Sequence, residues 1–282
     1  MISASRPTIY EANSVRSNSW SVWKELFADL RNSRELIWRL LVRDISTRYR
    51  QSILGYLWAI LPAIATVAVF AFLTNTRTIP VGETPIPYVP YALWSLGVWQ
   101  LFAGCLVNCT NSLVNAGPLV SKVKFPKEAL VIAALGQPLV DFAIRLIPVG
   151  VVLHWYGVTL YWQSVLIPLV LMPAMFLALG LGFMLSIANL VLRDIGNALA
   201  VILTFAIFLA PVLYPPPVTW PSNLINLLIP FNPILIASQD LIIRGALSMP
   251  ETFLFSSLLS VLLLLLGWRL FRVAIPRVCA YA

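Results

Sequence analysis

Residues 53–74 read ILGYLWAILPAIATVAVFAFLT, an apolar run without a charged side chain. Wound into a helix, a run of this length crosses a hydrocarbon core of about 30 Å. The rest of the chain has the same character, because 60% of the 282 residues are hydrophobic and only 11% are charged. A soluble domain carries about 25% charged residues. The sequence therefore predicts an all-α integral membrane protein and excludes an ordinary soluble domain.

Five further apolar segments predict five more spans, giving six in all. They lie at about 88–111, 129–153, 164–188, 198–214 and 253–271. Sixteen of the nineteen Lys and Arg residues then fall on one side of the membrane. Because cytoplasmic loops carry an excess of these residues, we expect a multi-pass protein of the bacterial inner membrane with both termini in the cytoplasm. The net charge of +8 then reflects anionic lipid headgroups and not nucleic acid.

The segments that flank or interrupt the spans have their own patterns. They are a cytoplasmic extension at 1–30, an amphipathic interface helix at 31–52, an outer segment at 215–250 and a cytoplasmic tail at 276–282, with the six-span domain at 53–275. The outer segment contains Pro221, Pro230 and Pro233, which would break a full span. Because it is also too apolar for an exposed loop, we expect a re-entrant helical hairpin between spans five and six. Two amphipathic helices lying on the outer surface are the alternative.

The segment before span one has the pattern of a basic amphipathic helix. At 100° per residue, Arg39, Arg43 and Arg50 share one face, and aliphatic and aromatic side chains cover the opposite face. A helix of this kind lies in the plane of the membrane interface. With Arg48 it holds four arginines, whose guanidinium groups suit phosphate better than lysines do. The pattern predicts either headgroup binding or positive-inside anchoring without a ligand.

Three stretches of this chain resemble, in order, the permease subunits of polysaccharide ABC exporters, which export O-antigen, capsule and teichoic acid. They are LVRDISTRYRQSILGYLWAI (41–60), LVSKVKFPKE (119–128), and the C-terminal set formed by residues 189–194, APVLYP (210–215) and FNP (231–233). The resemblance covers about residues 20–275 with the spacing of that family. It implies a type-2 ABC exporter fold, in which two copies of the subunit form a channel at their interface.

The ATP chemistry is expected on another chain. This sequence has no G-x-x-x-x-G-K-[ST] phosphate loop, so we expect a transport subunit and not an enzyme, without a cofactor of its own. The resemblance implies two separate ABC ATPase subunits that bind ATP and Mg²⁺. The residues predicted to couple to them are Lys122, Lys124, Phe125, Pro126, Lys127 and Arg193. For the loop of residues 122–128, a solvated basic loop is the alternative, although an exposed Phe125 would then have no partner.

The implied cargo is a polysaccharide on polyprenyl diphosphate, as in lipopolysaccharide biosynthesis. Its diphosphate needs cations at the cytoplasmic interface, the role predicted for Arg39, Arg43, Arg48 and Arg50. Its sugar chain needs flat apolar faces, and the candidates are Tyr56, Trp58, Phe70, Phe72, Trp94, Trp99 and Phe102. The alternative for these aromatic residues is membrane packing, since Trp and Tyr gather at membrane interfaces regardless of function. The hairpin with Pro221, Pro230 and Pro233 is expected to gate the outer end.

Two charged residues lie deep in a predicted span. Asp141 and Arg145 are four residues apart on one helix face, which predicts either an internal ion pair or a functional site. A secondary transporter or flippase would be expected to carry an unpaired membrane charge or an internal repeat, and neither is found in this sequence. An ABC permease for a drug or small lipid is the nearest alternative, with a narrower path. No metal site is predicted.

Overall fold

The structure, a computed structural model, describes residues 31–49, 57–76, 84–117, 125–216 and 228–281, together with residues 28 and 226. Within these ranges every regular element is a helix and no strand is present. The prediction of an all-α protein is therefore confirmed. Calls that fall on residues 1–27, 50–56, 77–83, 118–124 or 217–225 lie outside the described residues.

The helices follow one another with short connections. In chain order they are α1 (Arg34–Tyr49), α2 (Leu57–Asn75), α3 (Tyr88–Ala116), α4 (Glu128–Ala133), α5 (Gly136–Trp155), a 3₁₀ helix (Trp162–Leu166), α6 (Ile167–Val191), α7 (Asp194–Ala206), α8 (Phe231–Ile243) and α9 (Pro250–Tyr281).

Four helical stretches are long and apolar enough to cross a membrane. They are Tyr88–Ala116, Glu128–Trp155, Trp162–Val191 and Pro250–Val278. The chain is thus a multi-pass membrane protein. Three shorter apolar helical stretches accompany them, at Ile60–Leu73, Asp194–Ala206 and Phe231–Ile243. The count of six spans stays a prediction, because it depends on α2 and α7 also crossing the membrane.

Helix α7 ends earlier than the span predicted at about 198–214. It stops at Ala206, and tight turns follow, in which Phe208 N–H donates to the Phe205 carbonyl at 3.1 Å and Val212 N–H to the Ala210 carbonyl at 2.7 Å. Pro211 has no N–H to donate, so a helix that continued through it would lose one hydrogen bond, which favours an earlier end. The 13 residues of α7 rise about 20 Å, which is less than the hydrocarbon thickness.

Helices α3, α6 and α9 form the tightly packed centre of the protein. A Cβ atom on Gly267 of α9 would lie 2.2 Å from the carbonyl oxygen of Gly180 on α6. A Cβ atom on Gly182 would lie 2.4 Å from the Cβ of Cys109 on α3. Small residues let membrane helices approach to backbone contact, where van der Waals attraction is greatest. These glycines therefore explain why α6 packs closely against both neighbours.

Helix α8 lies inside this bundle. Every residue from Phe231 to Ile242 is buried, and the helix contacts α3, α6 and α9. Protein encloses α8 along its length, so this part of the predicted 215–250 segment does not lie on the surface. The hairpin as a whole stays a prediction, because residues 217–225 lie outside the described residues.

A second hydrophobic cluster packs α1 against the bundle, and we call it the α1 cluster. It contains Leu40, Cys109, Leu113, Ala116, Leu130, Val131, Ala133, Phe183, Trp268, Phe271 and Ile275. Aromatic contacts at its centre place the ring of Phe183 5.1 Å from that of Phe271 and 6.4 Å from that of Trp268. The cluster joins α1, α3, α4, α6 and α9 in one packing unit.

Candidate functional site

Helix α1 is fixed on the bundle by its apolar inner face. Leu40 is buried in the α1 cluster, and Leu41 lies so close to Gly136 of α5 that a Cβ there would be 2.4 Å from the leucine side chain. The predicted arginines point outward. Arg39 pairs with Glu35 at 2.6 Å and Arg43 with Asp44 at 2.8 Å.

The outer face of α1 combines charge with apolar surface. Trp38 is 64% exposed and Val42 43% exposed, and these residues directly precede Arg39 and Arg43 in the sequence. Apolar side chains beside guanidinium groups are the pattern expected of an interface helix, and that location stays a prediction. Two predicted arginines cannot be placed: the side chain of Arg48 and all of Arg50 lie outside the described residues.

The predicted coupling loop has only its last residues in the described part of the chain. Phe125, Pro126 and Lys127 are half-buried, whereas Lys122 and Lys124 lie outside the described residues. The ammonium group of Lys127 lies 4.3 Å from the centre of the Phe125 ring. Phe125 also packs against the α1 cluster. Phe125 therefore has packing partners within its own chain. It is less exposed than expected for a solvated loop.

An ion pair that the sequence did not reveal anchors this loop. Glu128, at the start of α4, accepts a hydrogen bond from Arg272 of α9 at 3.1 Å. Glu128 is only 5% exposed, so the pair is shielded from solvent. The two residues are 144 positions apart, and no local pattern links them. The ion pair ties the coupling loop to the C-terminal helix.

Arg193 occupies the exposed turn between α6 and α7, and a buried asparagine shapes that turn. Asn189 accepts a hydrogen bond from Gly196 N–H at 2.8 Å and donates to Asn111 Oδ1 at 2.9 Å and to the Thr110 carbonyl at 3.2 Å. Asn189 is 1% exposed. One amide thus joins the ends of α6, α7 and α3, which explains the asparagine in the 189–194 stretch.

A second buried polar network holds α8 against α3. Gln239 Nε2 donates to Ser95 Oγ at 2.9 Å, to the Pro211 carbonyl at 3.0 Å and to Tyr91 Oη at 3.2 Å. The Tyr91 hydroxyl in turn donates to the Tyr214 carbonyl at 3.0 Å. The network connects α8, α3 and the turns after α7, and sequence reasoning missed it because each residue looks ordinary in its own segment.

Three predicted channel aromatics pack inside the protomer. Phe102 stacks on Phe231 of α8 at 4.5 Å, Trp99 meets the same ring at 5.4 Å, and Trp94 donates to Ser238 Oγ at 3.2 Å. Phe72 of α2 differs, since it is 67% exposed. The side chains of Trp58 and Phe70, and all of Tyr56, lie outside the described residues. A channel role for the whole set stays a prediction.

The predicted gate prolines mark the start of α8. Pro230 precedes the helix and Pro233 lies buried in its first turn, where a missing N–H costs no helical hydrogen bond. Between them, Asn232 Nδ2 donates to the Leu209 carbonyl at 3.2 Å. Pro221 lies outside the described residues.

The charges inside α5 are engaged. Asp141 is buried and Arg145 half-buried, and each has an interaction partner in the structure. Among the described residues, no group of three or more His, Cys, Asp or Glu side chains could hold a metal ion.

Comparison with known families agrees with this architecture. The family model of the ABC-2 type transporter matches residues 35–243, which run from α1 to the end of α8. The chain belongs to the ABC-2 type transporter family. It is therefore a transport subunit, as the resemblance implied, and the match contains nearly all of α1 and every described element up to the end of α8.

The chain is also similar to individual permease proteins, although the sequence identities are below 30%. The chain is 28% identical over 211 residues to the O-antigen export system permease protein RfbA of Myxococcus xanthus, covering 74% of this chain and 79% of that protein. It is 24% identical over 217 residues to a protein of the same name from Klebsiella pneumoniae, covering 73% and 79%. A second Klebsiella pneumoniae protein of that name is 23% identical over the same shares.

Proposed function

We propose that this chain is the membrane-spanning subunit of an ATP-driven exporter that moves a polyprenyl-diphosphate-linked polysaccharide of the O-antigen type across the inner membrane. One observation carries the proposal: the ABC-2 match over residues 35–243 coincides with similarity to three permeases named for O-antigen export. The cargo would enter from the cytoplasmic leaflet and leave on the outer side.

Two ABC ATPase subunits would supply the energy, with ATP and Mg²⁺ bound on them. The α1 cluster supports this role, because it packs α1, the end of the coupling loop and α9 together. A movement of the loop would therefore be transmitted to α1 and α9. The Glu128–Arg272 ion pair adds a second connection between the end of the loop and α9. Lys127, beside Phe125, and the exposed Arg193 would belong to the proposed docking surface, together with Lys122 and Lys124.

Two copies of the chain would enclose the channel. Helices α2 and α7 support this arrangement, because both contact α3 and both expose apolar faces that no described residue covers. On these helices Phe72 and Phe205 are each 67% exposed, which gives flat apolar faces for sugar rings. Trp94, Trp99 and Phe102 would join the path only when α8 moves away from α3, and α8 with its prolines is therefore the proposed outer gate.

The diphosphate would bind along α1 and its extension toward span one. Arg39 and Arg43 are exposed, and their present partners are surface carboxylates. Exposed ion pairs of this kind contribute only about 0–1 kcal/mol. A diphosphate offers more charge and more acceptor oxygens, so it would displace them. Arg48 and Arg50 are the proposed continuation of this binding site.

Co-purification with the ATPase tests the proposal. The chain should isolate as two copies with two ATPase subunits, and a lipid-linked polysaccharide should stimulate ATP hydrolysis by that complex. Replacing Arg39, Arg43, Arg48 and Arg50 with Ala should abolish the stimulation, whereas Arg244→Ala, on the opposite side of the predicted topology, should leave it intact. A chain that purifies alone and moves substrate on an ion gradient would contradict the proposal. Stimulation by a drug-sized molecule or a simple lipid alone would support the narrower permease instead.

A further inference from the structure

Helix α3 has a single accessible face, and that face is rich in amides. Between Pro90 and Leu113 the residues of α3 that are not buried are Gln100, Ala103, Gly104, Val107, Asn108 and Asn111. At 100° per residue, Gln100, Asn108 and Asn111 fall within a quarter turn of one another. Asn115 continues the same line and is exposed. We call these four residues the amide stripe.

The amide stripe runs lengthwise through a membrane-spanning helix. From Gln100 to Asn115 it covers about 22 Å, roughly three quarters of the hydrocarbon thickness. Two neighbouring helices approach this face: Pro138 of α5 lies against Gly104, and Gly196 of α7 lies against Asn111. The stripe therefore lies where α5 and α7 meet α3.

Most of the stripe has hydrogen-bonding capacity to spare. Gln100 Oε1 is buried without a hydrogen-bond partner among the described residues. Within the same part of the chain, no hydrogen bond is formed by the side chains of Asn108 and Asn115. Asn111 is fixed differently, because its Nδ2 donates to the Val107 carbonyl and its Oδ1 accepts from Asn189. Amides left without partners against lipid are unfavourable, so this face requires water, a polar ligand or another protein.

We propose that the amide stripe lines the inner half of the translocation path and binds the hydroxyl groups of the passing sugar chain. The inference rests on the proposed function and adds to it a polar wall on α3. An amide both donates and accepts hydrogen bonds, as a sugar hydroxyl does. The stripe carries no charge, so successive sugars can exchange partners without being trapped. Ala103, Gly104 and Val107 are small enough to leave room beside it.

Cysteine accessibility in the full complex tests the path. In a Cys279→Ser background, Asn108→Cys and Asn115→Cys should react with a charged, membrane-impermeant thiosulfonate, because both residues are accessible. Leu262→Cys is the matched control: it lies on α9 and is 52% exposed, but it should face lipid. We expect Asn108→Cys to react at least about tenfold faster than Leu262→Cys, because a charged reagent stays out of lipid. Lipid-linked polysaccharide with a non-hydrolysable nucleotide should slow the Asn108→Cys reaction. Equal and negligible reaction at both sites would overturn the proposal.

Apolar replacement tests the hydrogen bonding. The double variant Gln100→Leu with Asn108→Leu should reduce export on the order of fivefold, with the two copies and the ATPases still associated. Val261→Leu adds bulk to the exposed face of α9, outside the proposed path, and should retain export. Unchanged export in the double variant, or dissociation of the two copies without cysteine reaction, would overturn the proposal in favour of a structural seam. If Asn108→Cys reacts but the unmodified complex moves no polysaccharide, the proposed function fails, and the cargo assigned to the stripe fails with it.

Discussion

Two pairs of helices differ in how tightly they are packed. Helices α6 and α9 are in close contact, whereas α2 and α7 are packed loosely. Gly180 and Gly267 bring the backbones of α6 and α9 into direct contact. Helix α7 buries only Gly196 and Leu199, and α2 buries Val67 among its described side chains. Both helices leave apolar and aromatic side chains uncovered, including Phe72 and Phe205.

This difference in packing divides the protein into two parts. We call the closely packed helices the frame and the loosely packed helices α2 and α7 the rim. Backbone contacts between α6 and α9 cannot slide without steric clash, and α6 approaches α3 almost as closely, so α3, α6 and α9 form a frame. Few contacts hold α2 and α7, and regions with few buried contacts open at low free energy. In the proposed exporter, the frame would transmit force from the ATPases and the rim would separate to admit cargo. Substitutions in the two regions should therefore have very different effects.

The largest loss of stability is expected at the α6–α9 contact. Gly267→Ala places a methyl group 2.2 Å from the Gly180 carbonyl oxygen, so the helices must move apart. We expect a cost of about 3 kcal/mol or more, at the top of the range for overpacking. The measurement is thermal unfolding in detergent. Gly150→Ala on α5 is the control, because a Cβ there meets nothing within 4 Å. Equal melting temperatures for the two variants would break the distinction between frame and rim.

The next largest effect is expected in the polar network under α8. Gln239→Leu keeps the volume of the side chain but removes the donor shared by Ser95, Tyr91 and the Pro211 carbonyl. Leaving buried acceptors unsatisfied should cost about 1–3 kcal/mol. Tyr214→Phe, which removes one exposed hydrogen bond to the Phe208 carbonyl, should cost less. If α8 is the outer gate, vesicles that contain the Gln239→Leu variant should leak small solutes. A variant that is as stable as the original protein and shows no leakage would exclude α8 from that role.

A moderate effect is expected at the joint between coupling loop and frame. Glu128→Gln weakens the bond to Arg272, and we expect a loss of about 1–2 kcal/mol in stability. The exposed pair offers the control, since Glu35→Gln should change stability by less than about 1 kcal/mol. In the ATPase complex, Glu128→Gln should uncouple ATP hydrolysis from export, and Glu128→Arg with Arg272→Glu should partly restore coupling. Full coupling in the single variant would make the pair purely structural.

The smallest effect on stability is expected at the rim. Val201→Ala and Phe205→Ala remove side chains that are 57% and 67% exposed, so each should change the stability of the protomer by about 0.5 kcal/mol or less. The same variants should lower the fraction of two-copy complexes seen by cross-linking or light scattering. A variant that weakens the protomer while the two copies stay together would place α7 in the frame.

The sequence was sufficient where the controlling signal is local. Uninterrupted apolar runs located α3 and α9, and the periodicity of apolar residues such as Ile37 and Leu41 against Arg39 and Arg43 predicted a helix at α1. Pro230 and Pro233 indicated a segment that cannot span, and α8 is indeed short and enclosed.

The remaining features depend on contacts between distant segments. Aromatic residues such as Trp99 and Phe102 are found in channel walls, at membrane interfaces and in protein cores. Their packing on Phe231 places them in the core of this protomer, which the sequence does not show. No periodicity links Glu128 with Arg272. The end of α7 at Ala206 depends on Pro211 and the turns before it, and a hydropathy run does not register that change.

Transport by the reconstituted complex tests the central claim most directly. Vesicles containing this chain and its ATPase partner should move a polyprenyl-diphosphate-linked polysaccharide across the bilayer when ATP is supplied, and a hydrolysis-deficient ATPase should abolish the movement. The account predicts accumulation of the polysaccharide on the far side in proportion to ATP consumed. Movement without ATP, or ATP-driven movement of small lipids with no movement of the polysaccharide, would contradict it.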